Sequence, residues 1–343
     1  MVFAPVGRVR MRAMQPHAVT LIAGDGIGPE IADATRLVVE ATGARIHWVP
    51  ALAGAAALRH AGDPLPPETL DELRKTRLCL RGPSRERRAQ VGLRQALDLF
   101  AQVRWVRSLK GVPARARDVD VIVIRETAQG FGRGLEHAID QNTAESLAVL
   151  TREGCARFFA FAFEHARAQG RRRVAMVDRQ AGMRFTSDLW REVARESARG
   201  FPRLTFEELA ADVAVERLVR DPSQFDVLVT SNLFCDVLGD AAAGLVGGSG
   251  VVPCATFGGS AAIFEVTHGP AIDAAERGTG NPTALMLAAS RLLEHVGHRA
   301  AAARLRNGVE SALRTRRART PDLGGAGTTT AFTQCVIREI RKG

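Results

Sequence analysis

Two aspartates, Asp236 and Asp240, lie four residues apart in the apolar segment SNLFCDVLGDAAAGLVGG. This spacing places both carboxylates on one face of a helix, and Asp212 stands at the start of the helix predicted before it. Three carboxylates suit a hard divalent cation such as Mg²⁺ or Mn²⁺. An aspartate pair at this spacing is more often a solvated helix face. The apolar flanks nevertheless favour a bound partner, because unpaired buried carboxylates are costly.

Three arginines, Arg94, Arg104 and Arg125, stand near the ends of predicted elements. Arg125 closes an apolar strand, which is where open α/β sheets place their ligand sites. If the three side chains converge, they would bind a polycarboxylate through paired, charge-assisted hydrogen bonds. The alternative is chance, because 44 of the 47 basic residues are arginines and any three could be singled out.

Two polar turns could hold a cofactor. GDGIGPE at residues 24–30 brings Gly-rich backbone to a helix N-terminus, where an anion could bind, although it is not the dinucleotide fingerprint GxGxxG. The second turn contains His268, Gly269, Asp273 and Asn281. Asp273 could accept hydrogen bonds from ribose hydroxyls and repel a 2′-phosphate, as in NAD sites. Taken alone, His268 is more typical of a structural loop histidine.

The elements that must position these residues alternate between strands and helices. Such alternation predicts an α/β fold with a mostly parallel sheet covered on both faces. The length of 343 residues indicates two lobes with a cleft between them. An extended hairpin is expected over 131–150, and a Gly-rich break in the pattern over 247–260. The predicted strands are 18–23, 45–50, 78–81, 101–107, 119–125, 173–178, 203–208 and 225–230, and the predicted helices are 29–41, 66–77, 89–99, 152–169, 185–198, 212–220, 233–245, 281–295, 299–314 and one from about 328.

Composition excludes several classes of protein. Hydrophobic residues make up 46% and charged residues 24% of the chain, as in globular proteins, and no apolar run reaches the roughly 18 residues of a membrane span. The net charge is +10, but the basic clusters at 85–88, 171–173 and 314–319 are short, far apart and free of aromatic residues. We interpret them as solvated faces and expect no nucleic-acid partner.

The expected compartment is the cytoplasm. Five widely spaced cysteines without a CxxC motif indicate a reducing environment. The mitochondrial matrix is the weaker alternative, because the first 17 residues are basic and acid-free and weakly resemble a transit peptide. A true start at Met11 or Met14 fits the sequence equally well.

Taken together, these segments resemble the β-decarboxylating dehydrogenases, namely isocitrate, homoisocitrate and 3-isopropylmalate dehydrogenases. The similarity extends from about residue 18 to 340, and its IRET, GLEH and AAIFE wording is closer to NAD-linked isocitrate dehydrogenases. The motifs that carry it are GDGIGPE (24–30), LRQALDLFAQVR (93–104), IRET (124–127), GLEH (134–137), NLFCDVLGDAAAGLVGG (232–248), AAIFEVTHG (261–269), GNPTAL (280–285) and TPDLGG (320–325).

The resemblance implies a reaction and a set of site residues. Members of this family bind a 2-hydroxy di- or tricarboxylate with Mg²⁺ or Mn²⁺, transfer a hydride to NAD(P) and release CO₂. The family's metal aspartate matched by Asp212 comes from the neighbouring subunit, and Asp273 indicates NAD over NADP. By position, Arg94, Arg104 and Arg125 match the substrate arginines, Asp212, Asp236 and Asp240 match the metal ligands, and His268, Gly269, Asp273 and Asn281 match the cofactor loop.

The resemblance also implies architecture and assembly. The expected fold is the two-lobed isopropylmalate-dehydrogenase-like fold with a central cleft. Residues 1–107 plus 256–343 would form the large, cofactor-side domain, and residues 108–255 the small domain with the metal and substrate residues and the dimer interface. The expected partners are a small hydroxy acid and either a second copy or a related subunit.

The chain departs from the family pattern at the residues that move protons. Gly132 stands at the position of the family's acidic Tyr, and Arg179 at that of its basic Lys, with Ala181 in place of a nearby Asn. The Ser and Asn of the substrate-gating helix are replaced by Arg88 and Gln90. The chain contains no Tyr at all, and an arginine cannot shuttle protons near neutral pH. Each loss typically costs roughly 10²–10⁴-fold in rate.

Three hypotheses follow from the retained and lost residues. In the first, the chain binds its ligands but has lost catalysis, as a regulatory or paired subunit. In the second, it is an active NAD-dependent dehydrogenase in which water or His137 moves the proton. In the third, it is a basic, polyanion-binding protein on an inactive scaffold.

Overall fold

Strands and helices alternate along the chain in the computed structural model, which describes residues 16–178 and 183–342. The strands are β1 (His17–Ile22), β2 (Ile46–Pro50), β3 (Leu78–Arg81), β4 (Leu99–Arg107), β5 (Asp120–Glu126), β6 (Gly130–Asp140), β7 (Thr143–Val149), β8 (Arg173–Asp178), β9 (Thr205–Ala210), β10 (Val227–Thr230), β11 (Pro253–Gly258) and β12 (Ala262–Val266). The helices are α1 (Gly28–Ala41), α2 (Ala55–Ala61), α3 (Pro67–Thr76), α4 (Arg87–Ala96), α5 (Arg152–Ala168), α6 (Arg184–Ala198), α7 (Ala211–Arg220), α8 (Asn232–Leu245), α9 (Thr283–His295), α10 (Arg299–Arg314) and α11 (Thr329–Lys342).

One ten-stranded sheet runs through the molecule in the order β2-β1-β3-β12-β11-β4-β5-β10-β8-β9. Six neighbouring pairs are parallel and three are antiparallel, so the prediction of a mostly parallel sheet is confirmed. The antiparallel pairs all involve β11 or β4, and the parallel blocks on either side of them therefore run in opposite directions. The domain boundary expected at 255/256 falls within β11, and the division into two domains stays a prediction.

Helices cover the sheet because their apolar faces have no other place to be buried. Helix α1 begins with Pro29 in its first turn, where the missing amide proton is not needed. Helix α9 is buried along almost its whole length and packs on β11 and β12. Helices α5 and α6 pack against each other through aromatic rings: the ring centroid of Trp190 on α6 lies 5.4 Å from that of Phe158 and 4.4 Å from that of Phe159, both on α5. Such aromatic pairs each contribute about 0.5–1.5 kcal/mol beyond their buried area.

Strands β6 and β7 form a separate two-stranded antiparallel sheet, which agrees with the hairpin expected over 131–150. Most of its residues are exposed. An isolated two-stranded hairpin is marginally stable in water, so this hairpin needs a surface against which to pack.

Three expectations about individual elements were wrong. The helix predicted over 89–99 ends at Ala96, because Asp98 adopts a left-handed backbone conformation (φ 47°) and Leu99 already belongs to the sheet. The Gly-rich stretch 247–260 contains the whole of β11, a strand whose pattern Pro253 and Gly258 obscure, and β12 follows it. The short helix α2 was not predicted either.

Candidate functional site

A cavity of about 340 Å³ opens where β3, β4, β5 and β12 meet helices α4 and α8. Five arginines line it, and we call it the arginine cavity. The structure brings the sequence-predicted Gln90, Arg94, Arg104 and Arg125 together here. Arg88 is not on the lining, where its neighbour on α4, Arg87, takes its place. The full lining is Arg81, Ser84, Arg87, Gln90, Val91, Arg94, Gln102, Arg104, Arg125, Asp236, Glu265, Val266, Thr267 and His268.

Arg104 connects the two aspartates of α8. Its Nη1 donates to Asp240 Oδ1 at 2.7 Å and its Nη2 to Asp236 Oδ1 at 2.9 Å, and Arg125 Nη1 donates to the same Asp236 oxygen at 2.6 Å. Both arginines are buried, whereas the Asp236 side chain is 60% exposed. Gly239 makes this packing possible, because a Cβ there would lie 2.5 Å from Arg104 Nη1. The aspartates therefore keep exposed oxygen atoms that can bind a further ligand.

Arg94 is the uncompensated cation of the arginine cavity. It forms no hydrogen bond or ion pair within the part of the chain that the structure describes, and Arg87 forms none either. Burial, together with the nearby Arg125 charge, lowers the pKa of Arg94. An anion in the cavity would relieve both the desolvation and the repulsion.

A buried ion pair on the opposite wall was missed by sequence reasoning. Arg81 at the end of β3 pairs with Glu265 of β12, Arg81 Nε lying 2.9 Å from Glu265 Oε2. Thr256 Oγ1 donates to the other Glu265 oxygen at 2.6 Å. Although burial acts in the opposite direction, the Arg81 guanidinium lowers the pKa of Glu265. Arg81 is thus neutralised inside the protein, and the free positive charge of the cavity comes from α4.

A second cavity of about 480 Å³ adjoins the first, and His268 lines both. His268 Nδ1 lies 2.9 Å from the Gly269 carbonyl oxygen, and its buried Nε2 has no partner. Burial lowers the pKa of His268, so the ring is neutral at physiological pH. The lining of this cavity, which we call the polar pocket, is Ile27, Gly250, His268, Gly269, Ala271, Ala274, Thr279, Gly280, Asn281, Pro321 and Asp322.

Asp322 and Gly250 line the polar pocket but were not predicted as site residues. Asp322 Oδ2 accepts a hydrogen bond from Asn281 Nδ2 at 2.8 Å and so orients the predicted asparagine. Gly250 leaves room for this pair, because a Cβ there would lie 3.3 Å from Asn281 Nδ2. Only the TPDLGG motif pointed to Asp322. The predicted Asp273 is exposed in a short 3₁₀ turn, next to Ala274, which lines the pocket.

Asp212 does not join Asp236 and Asp240 within one chain. It is exposed in the first turn of α7, and its Oδ1 accepts from the Val213 amide at 2.9 Å. Within residues 16–178 and 183–342, no three histidine, cysteine, aspartate or glutamate side chains gather as a metal site. The expectation that this aspartate serves a neighbouring subunit's site stays a prediction.

The proton-transfer positions contain no acid or base where the structure describes them. Gly132 lies on β6, and a Cβ there would be 2.7 Å from Asn232 Nδ2 and 3.1 Å from the Gln129 carbonyl oxygen. Asn232 of α8 therefore occupies the space that a side chain at 132 would enter. Arg179 and Ala181 lie outside the described residues.

Glu126, at the end of β5, is another buried acid that sequence reasoning missed. Its carboxylate accepts from the amides of Ala128 and Gln129 at 2.9 Å and 2.8 Å. Burial nevertheless raises its pKa to about 7. The two amides hold the turn that leads from β5 to Gly130, so Glu126 fixes the start of the hairpin.

The fold and the cleft define a class of α/β protein in which a basic ligand cavity lies at the switch between sheet blocks. A family model described as isocitrate/isopropylmalate dehydrogenase matches residues 18–340. The chain therefore belongs to the isocitrate/isopropylmalate dehydrogenase family, which confirms the resemblance found in its motifs.

Similar proteins come from distant organisms. The probable NAD isocitrate dehydrogenase subunit alpha, mitochondrial, of Caenorhabditis elegans is 37% identical over 97% of this chain and 95% of its own. The 3-isopropylmalate dehydrogenase of Archaeoglobus fulgidus is 38% identical over 92% and 96%. The crystal structure of isocitrate dehydrogenase from Methylococcus capsulatus superposes with a TM-score of 0.91 at 40% identity, covering 95% of this chain and 99% of the other. Among the helices of the described residues, none is long and apolar enough to cross a membrane.

Proposed function

We propose that this protein binds a 2-hydroxy di- or tricarboxylate together with NAD and Mg²⁺ or Mn²⁺, and that its catalysis is impaired. The observation that carries the binding proposal is the half-buried Arg94, which forms no hydrogen bond or ion pair within the described residues and lies beside the Arg104–Asp236–Arg125 network. A carboxylate is the ligand that neutralises such a cation with matching geometry. The relatives act on isocitrate or 3-isopropylmalate, as their names state.

The side chains that α4 places in the arginine cavity favour a tricarboxylate over a dicarboxylate as the ligand. Arg87, Gln90 and Arg94 are spaced by three and four residues, so they share the face of α4 that lines the cavity. Two of these three side chains are cations that form no hydrogen bond or ion pair within the described residues. A substrate with a third carboxylate, such as isocitrate, would use the charge of Arg87, whereas the apolar side chain of isopropylmalate would leave it uncompensated.

The metal proposal is supported by the donor set. Asp236 and Asp240 offer exposed carboxylate oxygens, which are hard ligands that fit Mg²⁺ or Mn²⁺. Asp212 from a second subunit would complete the three carboxylates. When bound, the cation polarises the oxygen atoms of the substrate. The chain's own arginines orient the carboxylates and hold the substrate away from bulk water.

The polar pocket is the proposed NAD site. Its His268 has a buried, unpartnered Nε2, and Gly269 and Asn281 present backbone and amide groups to the same space. NAD, when bound, accepts the hydride. Asp273 lies at the rim, where its negative charge would repel the 2′-phosphate of NADP.

Impaired catalysis is supported by what surrounds Gly132. No acid can be placed there without moving Asn232, and the chain contains no Tyr elsewhere. The active-enzyme alternative has one specific candidate: His137 on β6 is exposed, with Nε2 2.8 Å from Glu145 Oε1. The polyanion-binding alternative keeps the same arginines but uses neither the metal aspartates nor the polar pocket.

Assembly with a second copy or a related subunit is part of the proposal. Helix α8 packs against β6, and the surface formed by α8, β6 and the paired strand β7 exposes Leu135, Ile139, Leu147, Leu233 and Val237. A second subunit would cover this apolar surface and stabilise the hairpin. The relative from Caenorhabditis elegans is named as a subunit. It is also named as mitochondrial, and we keep the cytoplasm as the proposed compartment with the mitochondrial matrix as the alternative.

Calorimetric titration tests the binding proposal. We expect isocitrate to bind in the presence of Mg²⁺ and more weakly without it, and NAD to bind more tightly than NADP. No heat and no thermal shift at millimolar isocitrate would overturn it. Parallel assays of NAD reduction with isocitrate, homoisocitrate, isopropylmalate, malate and tartrate plus Mn²⁺ separate the impaired from the active alternative.

A further inference from the structure

Two loops that are distant in sequence form one basic surface away from the arginine cavity. Residues 110–118 lie between β4 and β5, and residues 314–319 comprise the last residue of α10 and the turn after it; we call these two segments the basic loop pair. Together they contain seven basic residues and one acid, Asp118. The basic residues are Lys110, Arg115, Arg117, Arg314, Arg316, Arg317 and Arg319.

The two loops are in direct contact. Arg319 Nη1 donates to the Gly111 carbonyl oxygen. Gly111 has φ 97°, and a Cβ there would lie 2.2 Å from the Leu313 carbonyl oxygen and 3.0 Å from Arg314 Cα. The backbone of Gly111 can approach α10 this closely only because it carries no side chain. Lys110 and Arg314 are thereby brought next to each other.

Backbone hydrogen bonds hold both loops in defined conformations. The Ala318 amide donates to the Thr315 carbonyl oxygen at 2.9 Å, which places Arg316 and Arg317 at the tip of a turn. On the other loop, the amides of Arg115 and Ala116 both donate to Leu245 at the end of α8, at 3.0 Å. The cationic side chains therefore extend from a folded platform.

These cations form no ion pairs within the described residues. Apart from Arg319, all of the basic side chains are exposed. Elsewhere the arginine side chains are commonly paired, as in Arg107 with Glu310 and Arg306 with Glu294. Like charges this close repel one another within the Debye length of about 10 Å at 0.1 M salt. A bound anion would convert that repulsion into attraction.

We propose that the basic loop pair is a binding site for a small phosphate-chain anion, either inorganic polyphosphate or the triphosphate of a nucleotide. Arginine guanidinium groups match phosphate oxygens in forked geometry. The two loops contain no aromatic residue on which bases could stack. Their basic surface is confined to fifteen residues, whereas duplex nucleic acid needs an extended track of phosphate contacts.

The proposed site is distinct from the polar pocket but lies close to it along the chain. Arg319 is three residues before Asp322, which lines the polar pocket and accepts from Asn281. A test must therefore separate anion binding at the loops from anion binding at the proposed NAD site. Asn281→Ala serves this purpose because it alters the pocket and leaves the loops unchanged.

Titration of the full chain with sodium tripolyphosphate is the test. We expect binding that weakens as NaCl rises from about 0.05 to about 0.2 M. Arg316→Gln with Arg317→Gln should weaken it by about tenfold or more, since two charge-assisted contacts are lost. The matched control, Arg199→Gln with Arg203→Gln, removes two exposed, unpaired arginines elsewhere and should leave binding unchanged, as should Asn281→Ala.

A second double variant, Arg115→Gln with Arg117→Gln on the other loop, should show the same loss and serves if the first does not fold. ATP binding as tightly as tripolyphosphate would assign recognition to the phosphates alone, and tighter ATP binding would identify a nucleotide as the source. The proposal is overturned if tripolyphosphate does not bind at millimolar concentration, if both Arg316/Arg317 and control variants lose binding equally, or if a short DNA duplex binds while tripolyphosphate does not.

Discussion

Helix α8 borders two regions, the arginine cavity and the surroundings of Gly132, and the two differ in which charged groups they contain. Asp236 and Asp240, four residues apart on one face, pair with the buried Arg104, while Asn232 near the start of the helix fills the space beside Gly132. The first region contains the arginines and aspartates that are proposed to hold a polyanion with its cation. The second has a neutral amide where a side chain at position 132 would enter. In the proposed function, ligand binding and proton transfer therefore depend on separate parts of one helix and can be lost independently.

The largest expected effect is on turnover. Because no acid is present at Gly132 and an arginine stands at position 179, oxidation of isocitrate should be about 10⁴-fold or more below the roughly 10 s⁻¹ of an ordinary enzyme. The rate at which NAD is reduced, followed by the absorbance of the reduced nicotinamide, measures this turnover. Turnover near 10 s⁻¹ would show that the region around Gly132 is not the limiting one and would favour the active alternative.

The next effect concerns binding. Arg94→Gln should weaken isocitrate binding by about 100-fold, since it removes a half-buried cation proposed to make a charge-assisted contact with the substrate. Folding stability should not fall, because Arg94 forms no hydrogen bond or ion pair within the described residues and is repelled by Arg125. Calorimetry and thermal melting check the two halves of this prediction. The control is Arg203→Gln, which changes an exposed arginine that does not line the arginine cavity, and it should change neither isocitrate binding nor stability. Equal losses in both variants would contradict a specific role for Arg94.

The smallest effect tests the contact between β6 and α8. Gly132→Tyr should lower the free energy of unfolding by about 1–3 kcal/mol, because its Cβ collides with the Asn232 amide. Adding Asn232→Ala should recover most of that loss, a coupling that a double-mutant cycle measures. If the two changes are simply additive, Asn232 is not what excludes a side chain at position 132. Only in this paired background is restoration of Lys at position 179 a fair test of regained turnover.

The fold was largely predictable because long apolar strands and capped helices carry strong periodic signals. Strands β11 and β12 were missed because Pro253, Gly258 and Gly259 obscure the pattern, and their placement depends on pairing with distant β4 and β3. The motif positions Arg94, Arg104 and Arg125 lie together on the lining of the arginine cavity, and their roles stay predictions. Arg88 was assigned from the family resemblance, and whether it or its neighbour Arg87 lines the cavity depends on the exact rotation of α4.

Contacts between distant segments could not be predicted from the sequence, for a different reason. The pairing of Arg81 with Glu265 and that of Asn281 with Asp322 depend on how the sheet brings remote strands and loops together. The fit of Asn232 against Gly132 is a matter of a few tenths of an ångström. No periodicity in the chain contains that information.

The central pairing of β4 with β11 has a consequence for synthesis on the ribosome. Strand β4 ends at Arg107, but β11, which pairs with one of its edges, does not begin until Pro253. Strand β3 likewise has one edge unpaired until β12 is synthesised. Until then both strands have open, apolar edges of the kind that recruit other chains. A translation product that ends before β11 therefore lacks the strands that cover these edges and is prone to associate with other chains, and the sheet is completed only by strands in the last 91 of the 343 residues.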